Sequence, residues 1–263
     1  MLAEENGMIV IISPAKTLAL EKTIPYPEHT VPQFLDESKE LVSLLKKRSE
    51  AELVELMSVS KDLARLNYQR YKVWKTPFTP KNSRPAIFTF DGPVYHGFDF
   101  LAYKKTDYVR LGKTVRIISG LHGLLRPYDL IQPYRLDMHT ELKNSAGADL
   151  YAFWRERITA AINAEKPDVV VNCCSIEYAA AIDFEKIKAR VITITFKQWK
   201  NGKYQVIGIV SKKARGMFAD FMVRSNVANS GDLKKFSAGG YSFDAKSSTA
   251  DELVFLKKNT SMD

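Results

Sequence analysis

Five short apolar runs, most of them rich in β-branched residues, constrain this chain more than any other feature. They are MIVIIS (Met8 to Ser13), AIFTF (Ala86 to Phe90), TVRIIS (Thr114 to Ser119), DVVVNCC (Asp168 to Cys174) and RVITITF (Arg190 to Phe196). Runs of this length bounded by turn residues read as buried strands. Helical patterns separate them. PQFLDESKELVSLLKK places Phe34, Leu35, Leu41, Val42, Leu44 and Leu45 near one face, and ADLYAFWRERITAAINA does the same with Leu150, Phe153, Trp154, Ile158, Ala161 and Ile162. Ser49 and Glu52 form a capping-box pattern before a second helix, and SKDLARLNYQRYK predicts a third. Late in the chain, KNGK (Lys200 to Lys203) sets Asn-Gly between VITITF and YQVIGIV, the sequence signature of a hairpin. KKARGMFADFMVRS predicts a helix after it, and ELVFLK a final strand. Alternating strands and helices with one hairpin predict an α/β fold, a mixed sheet flanked by helices. With no internal repeat, low-complexity tract or linker, residues 8–263 are expected to form a single compact domain after a disordered lead-in over residues 1–7.

Composition excludes several classes. Hydrophobic content of 45% and charged content of 26% are those of a globular chain, not a disordered one. No apolar run approaches the roughly 18 residues of a membrane span, and Met8 to Ile12 lacks the flanks of a signal peptide, so a cytoplasmic protein is expected. The two cysteines, Cys173 and Cys174, are adjacent in a strand pattern that points them to opposite faces, which suits neither a structural disulfide nor metal-ligand spacing. The net charge of +9 is unevenly spread, with nine basic residues and no acidic one from Lys186 to Arg215. A second basic cluster, from Lys61 to Arg84, interleaves with Tyr68, Tyr71 and Trp74, a composition suited either to stacking on bases or to a helix core. A polyanionic partner is one expectation from this pattern.

Three motifs carry the candidate chemistry. SPAKT follows the first strand and offers Lys16 and two hydroxyls to an anion, without the glycine-rich cradle of a phosphate loop. ISGLHGLLRPYDLIQPYRLDM (Ile118 to Met138) turns at Gly120 and Gly123, where freed amides could converge on a phosphate. Arg126 and Arg135 would add forked donors steadied by Asp129 and Asp137, or all four would instead pin the loop internally. SKKARGMF gathers Lys212, Lys213 and Arg215 near the expected start of a helix, where the macrodipole disfavours cations, and Gly216 there suggests close backbone approach. His29, His96, His122 and His139 fall in no nucleophile or metal-ligand motif, so neither a hydrolase triad nor a metal site is expected, and no cofactor is implied.

ISPAKTL (Ile12 to Leu18), SGLHGLLRPYDLIQPYRLDM (Ser119 to Met138) and KKARGMF (Lys212 to Phe218) resemble the signature segments of the bacterial YaaA family of peroxide stress resistance proteins, over about Met8 to Leu256. The resemblance implies a cytoplasmic single-domain α/β protein with a positively charged cleft and a helix-hairpin-helix element that binds DNA. It also implies a role in keeping free iron low during peroxide stress, which limits hydroxyl-radical damage to DNA. Gly120 to Gly123 is the expected hairpin.

Two functions follow. The first is a non-enzymatic DNA-binding protein that reads backbone charge in duplex, single-stranded or branched DNA, through Lys16, Gly120, Gly123, Arg126, Arg135, Lys212, Lys213 and Arg215. The second is an enzyme acting on a small phosphorylated or nucleotide-like molecule, with Lys16, Arg126 and Arg135 as anion clamps and Asp137 or Glu177 as general base. A deep pocket favours the second, and a long open groove the first. Direct iron chelation is a third, weaker expectation.

Overall fold

The computed structural model describes residues 7–258; of the expected lead-in only Gly7 lies among them. Eight strands form one mixed sheet: β1 (Met8–Ile12), β2 (Val115–Ser119), β3 (Gly123–Leu125), β4 (Val169–Cys173), β5 (Arg190–Lys200), β6 (Lys203–Gln205), β7 (Tyr241–Phe243) and β8 (Glu252–Lys257). Their order is β7-β8-β5-β4-β1-β2-β3, with β6 paired to β5. The centre, β8-β5-β4-β1-β2, is parallel, and β3, β6 and β7 add antiparallel pairs. All five residues of β1 and of β2 are buried, as expected for central parallel strands covered on both faces.

Six longer helices flank the sheet: α1 (Leu35–Lys46), α2 (Glu50–Met57), α3 (Lys61–Val73), α4 (Lys105–Thr114), α5 (Leu150–Ala164) and α6 (Gly208–Arg224). The capping box at Ser49 and Glu52 forms, and the Asp149 carboxylate caps α5 by accepting from the Ala152 amide at 2.8 Å. Asn201 and Gly202 both adopt left-handed backbone in the β5–β6 turn, so the Asn-Gly hairpin is present. Two expectations need correction. AIFTF is one helical turn, Ala86–Thr89, running into the short strand Phe90–Asp91. Its residues are apolar because the segment is buried, and a run this short cannot distinguish strand from helix. The second arm of the Asn-Gly hairpin stops at Gln205, and VIGIV feeds α6 from Gly208, one turn before the lysines. Lys212, Lys213 and Arg215 thus lie in the second turn, where the unfavourable N-terminal dipole has faded.

The aromatic interleaving of the first basic cluster also resolves. Tyr71 and Trp74 are buried in the core, where they pack α3 and the loop after it, and the Lys72 ammonium lies 5.0 Å over the half-buried Tyr68 ring.

The turn between β2 and β3 is enclosed by the fold. The Leu121 and His122 amides both donate to Ser119 Oγ, at 3.2 and 3.0 Å, and the Trp154 indole donates to the Gly120 carbonyl at 2.9 Å. Gly123 has φ of +66°, and a Cβ there would overlap the Trp154 ring, while one at Gly120 would overlap the Leu136 carbonyl. Gly123 is needed for close packing against Trp154 of α5 and Gly120 for close approach to the Leu136 backbone, and their flanking elements are strands. The expected helix-hairpin-helix placement at Gly120 to Gly123 is therefore corrected, and these amides do not face a phosphate.

Beside this turn, the fully buried His122 meets Ser38 of α1. The Ser38 hydroxyl donates to the Phe34 carbonyl at 2.8 Å, which leaves its oxygen to accept from His122 Nδ1–H at 2.8 Å. The ring is neutral, and its Nε2 lone pair has no partner. Burial depresses its pKa to about 3. In the unfolded chain the same group titrates near 6.5, so below that pH the unfolded state binds the extra proton. The contribution of His122 is complete above pH ~6.5 and declines as pH falls toward the folded value, by up to about 1.4 kcal/mol per pH unit. Chemical denaturation from pH 7 to 4 is expected to show this loss, and His122→Gln to reduce the slope; an identical slope in the variant would exclude His122 as its source.

Candidate functional site

The sheet places the site. From β1 the chain crosses to β2 on one side, whereas from β4, the neighbour of β1 on the other side, it moves away to β5. In open α/β sheets such a reversal leaves a crevice beyond the carboxyl ends of the two strands. The segments that follow β1 and β4 meet there. Ser13 Oγ accepts from the Ser175 amide at 2.9 Å, and the Ser13 carbonyl accepts from the buried Tyr95 hydroxyl at 3.2 Å. The result is a cleft of about 520 Å³ walled by Ser13 to Thr17, Asp91 to Val94, Ser175 to Tyr178 and the first two turns of α6.

Helix α6 is held against this cleft by backbone contact. A Cβ on Gly216 would overlap the Val94 carbonyl oxygen and stand 3.2 Å from Gly97 Cα, while one on Gly97 would overlap the Met217 amide nitrogen. The close approach suggested by Gly216 is real, and its partner is the chain's own Val94 to Gly97 segment. The Ser211 hydroxyl, donating to the Phe196 carbonyl of β5 at 3.2 Å, ties the start of the helix to the sheet.

Charge in the cleft is asymmetric. Asp91 accepts from Lys22 at 2.9 Å and pairs with His96 at 2.8 Å, and these two partners hold its carboxyl below the usual range. Glu177 is engaged by His139 Nδ1 at 2.9 Å, and Lys16 by Asp137 at 3.0 Å. Lys212 and Arg215, three residues apart on one helical face, both line the cleft. No carboxylate lies within ion-pair distance of either among the described residues, and the buried Arg215 Nε makes no hydrogen bond. Lys213 points to an adjoining groove that it shares with Lys257 and His96, and Pro93 stands between the two depressions. The arrangement can receive an anion at Arg215 and Lys212 without breaking an existing ion pair.

The sequence candidates thus separate. Lys16, Glu177, Lys212 and Arg215 come together, with Lys213 beside them and Asp137 behind Lys16, where it also lies 3.5 Å from Arg135. Arg126 belongs to the internal alternative. Its guanidinium donates to Asp129 at 2.9 and 3.1 Å and to the Val31 carbonyl at 2.9 Å. Thr30 also donates to Asp129, which is 1% exposed. Burial pushes the Asp129 carboxyl up, opposed by Thr30 and Arg126. The Arg126–Asp129 pair is a clamp on the loop.

Sequence reasoning missed Asp91, Pro93 and Ser175. Ser175 carried a usable signal, since it follows an apolar run as Ser13 follows MIVII. Cys173 and Cys174 are free and buried near Arg215; burial raises both thiol pKa values, Cys174 up to about 12, against the opposing pull of that cation. No group of three or more His, Cys, Asp or Glu is placed to hold a metal ion, and no helix is long and apolar enough to cross a membrane, among the described residues.

Residues 8–247 match the family described as peroxide stress protein YaaA. Similar chains include a UPF0246 protein of Burkholderia mallei (strain SAVP1), 43% identical over 95% of this chain and 99% of the relative. A UPF0246 protein of Burkholderia pseudomallei (strain K96243) has the same identity and coverage, and one of Burkholderia cenocepacia (strain HI2424) is 42% identical with the same coverage.

Proposed function

Since the chain belongs to the peroxide stress protein YaaA family, we propose that it serves in the peroxide stress response as a cytoplasmic, non-enzymatic DNA-binding protein. In this reading Lys212 and Arg215 take backbone phosphates at the cleft, and Lys213 extends the contact along the neighbouring groove. The function includes limiting free intracellular iron and the DNA damage it drives. The observation that carries the reading is the pair of uncompensated cations at a strand-end crevice whose other charged residues are each already paired. Phosphate is the ligand such a pair suits, because forked guanidinium donors and a lysine point charge both match its oxygens.

A second reading, an enzyme for a small phosphorylated or nucleotide-like molecule, draws on the cleft volume and on Glu177 beside His139. It differs from the first in needing turnover. DNA binding is tested by fluorescence titration of a labelled duplex at two salt concentrations. Affinity is expected to fall steeply as salt rises, through counterion release. Affinity that is absent at low salt, or indifferent to salt, contradicts the reading.

A further inference from the structure

We infer that the cleft is a receptor for a single unstacked nucleotide, the phosphate at Lys212 and Arg215 and the base between the apolar lips of the pocket. This deepens the DNA-binding reading and rests on it for the source of the nucleotide. The size of the cleft comes first. About 520 Å³ falls within the range of roughly 300–1,000 Å³ typical of small-ligand sites. A double helix can lay its phosphates along the rim of such a cavity and cannot enter it. One nucleotide can.

The second observation is the chemistry of the walls. Lys212 and Arg215 form a cationic side. At the mouth stand Ile176, 90% exposed, and Val206, 53% exposed, with Pro93 nearby in the wall. Side chains this apolar and this exposed leave a surface that a flat base would cover. Asp91 and Glu177 line the same cleft, and their carboxylate oxygens accept from the exocyclic amine of a base. Cations, apolar surface and acceptor oxygens in one cleft are the three chemical parts of a nucleotide site. An extended run of phosphates would use only the first.

The same chemistry has two sources, a free nucleoside monophosphate and an unpaired nucleotide in DNA. An unpaired nucleotide has no base pair to give up, so it leaves the helix at lower cost than a paired base. The test uses the full chain, a short labelled duplex, the same duplex with one bulged adenine, and free deoxyadenosine monophosphate as competitor. The bulged duplex is expected to bind about tenfold tighter than the paired one, the gain of one base contact. Val206→Trp and Ile176→Trp, each of which fills the cleft from an exposed lining position, should both collapse that ratio to one. The free nucleotide should compete away the surplus.

Equal affinity for both duplexes, or a preference that survives both variants, overturns the inference and leaves the DNA reading standing. Nucleotide binding that both variants abolish, with no DNA bound in any form, keeps the cleft assignment and overturns the DNA reading. If neither DNA nor the nucleotide binds, both fall.

Discussion

Gly216→Ala is expected to cost at least about 3 kcal/mol of stability, because the new methyl group would enter the space of the Val94 carbonyl oxygen. The direction opposes local preference. In a helix interior, alanine is favoured over glycine by roughly 1 kcal/mol, so a loss of this size reports tertiary packing alone. The contact is rigid on both sides, since neither the α6 backbone nor the Val94 to Gly97 segment has a rotamer with which to escape. Val94 also lines the cleft, and α6 carries its two free cations. Stability and site geometry should therefore fail together. Urea denaturation with DNA titration of the residual folded protein checks this; a variant within about 0.5 kcal/mol of the parent would show that the helix does not cross as closely as described.

The second large effect separates binding from folding. Lys212→Ala with Arg215→Ala should lower affinity for duplex DNA by roughly a hundredfold or more at low salt, the equivalent of losing two charge-assisted phosphate contacts. Neither residue leaves a stranded carboxylate behind, so stability should change little. Arg126→Ala is expected to do the reverse. It removes the cation from the almost fully buried Asp129 and should cost about 2 kcal/mol or more of stability. DNA affinity should stay near that of the parent, since Arg126 is bound to the loop it stabilises. Parallel denaturation and binding curves for the two variants would show whether these residues divide as the contacts indicate.

Much of the fold was legible because its strands announce themselves locally. MIVII, VRIIS and VVVNC are buried on both faces, so their apolar runs needed no partner to be recognised. The capping box at Ser49 and the Asn-Gly turn are equally local. What failed depended on distant partners. Gly120 and Gly123 look like a phosphate-binding turn until Ser119 Oγ takes the amides and Trp154, far along the chain, covers the other side. VIGIV has the composition of a strand, yet pairing with β5 stops at Gln205 and the chain enters α6 from Gly208. Half of the site was readable in the same way. Lys16 and the Lys212 to Arg215 group stand out by charge, and of the Arg–Asp alternation the Arg126–Asp129 pair forms an internal clamp while Asp137 meets Lys16. The opposite wall, Asp91 to Val94 and Ser175 to Tyr178, joins them only through the order of the strands, which periodicity does not specify.

Contact of Lys212 and Arg215 with DNA phosphates would be recorded in the salt dependence of binding. The slope of log K against log salt should become shallower by about two in the Lys212→Ala, Arg215→Ala double variant, close to one for each cation removed. A double variant whose slope matches that of the parent would place the phosphates elsewhere on the protein and rule out the cleft cations as their partners.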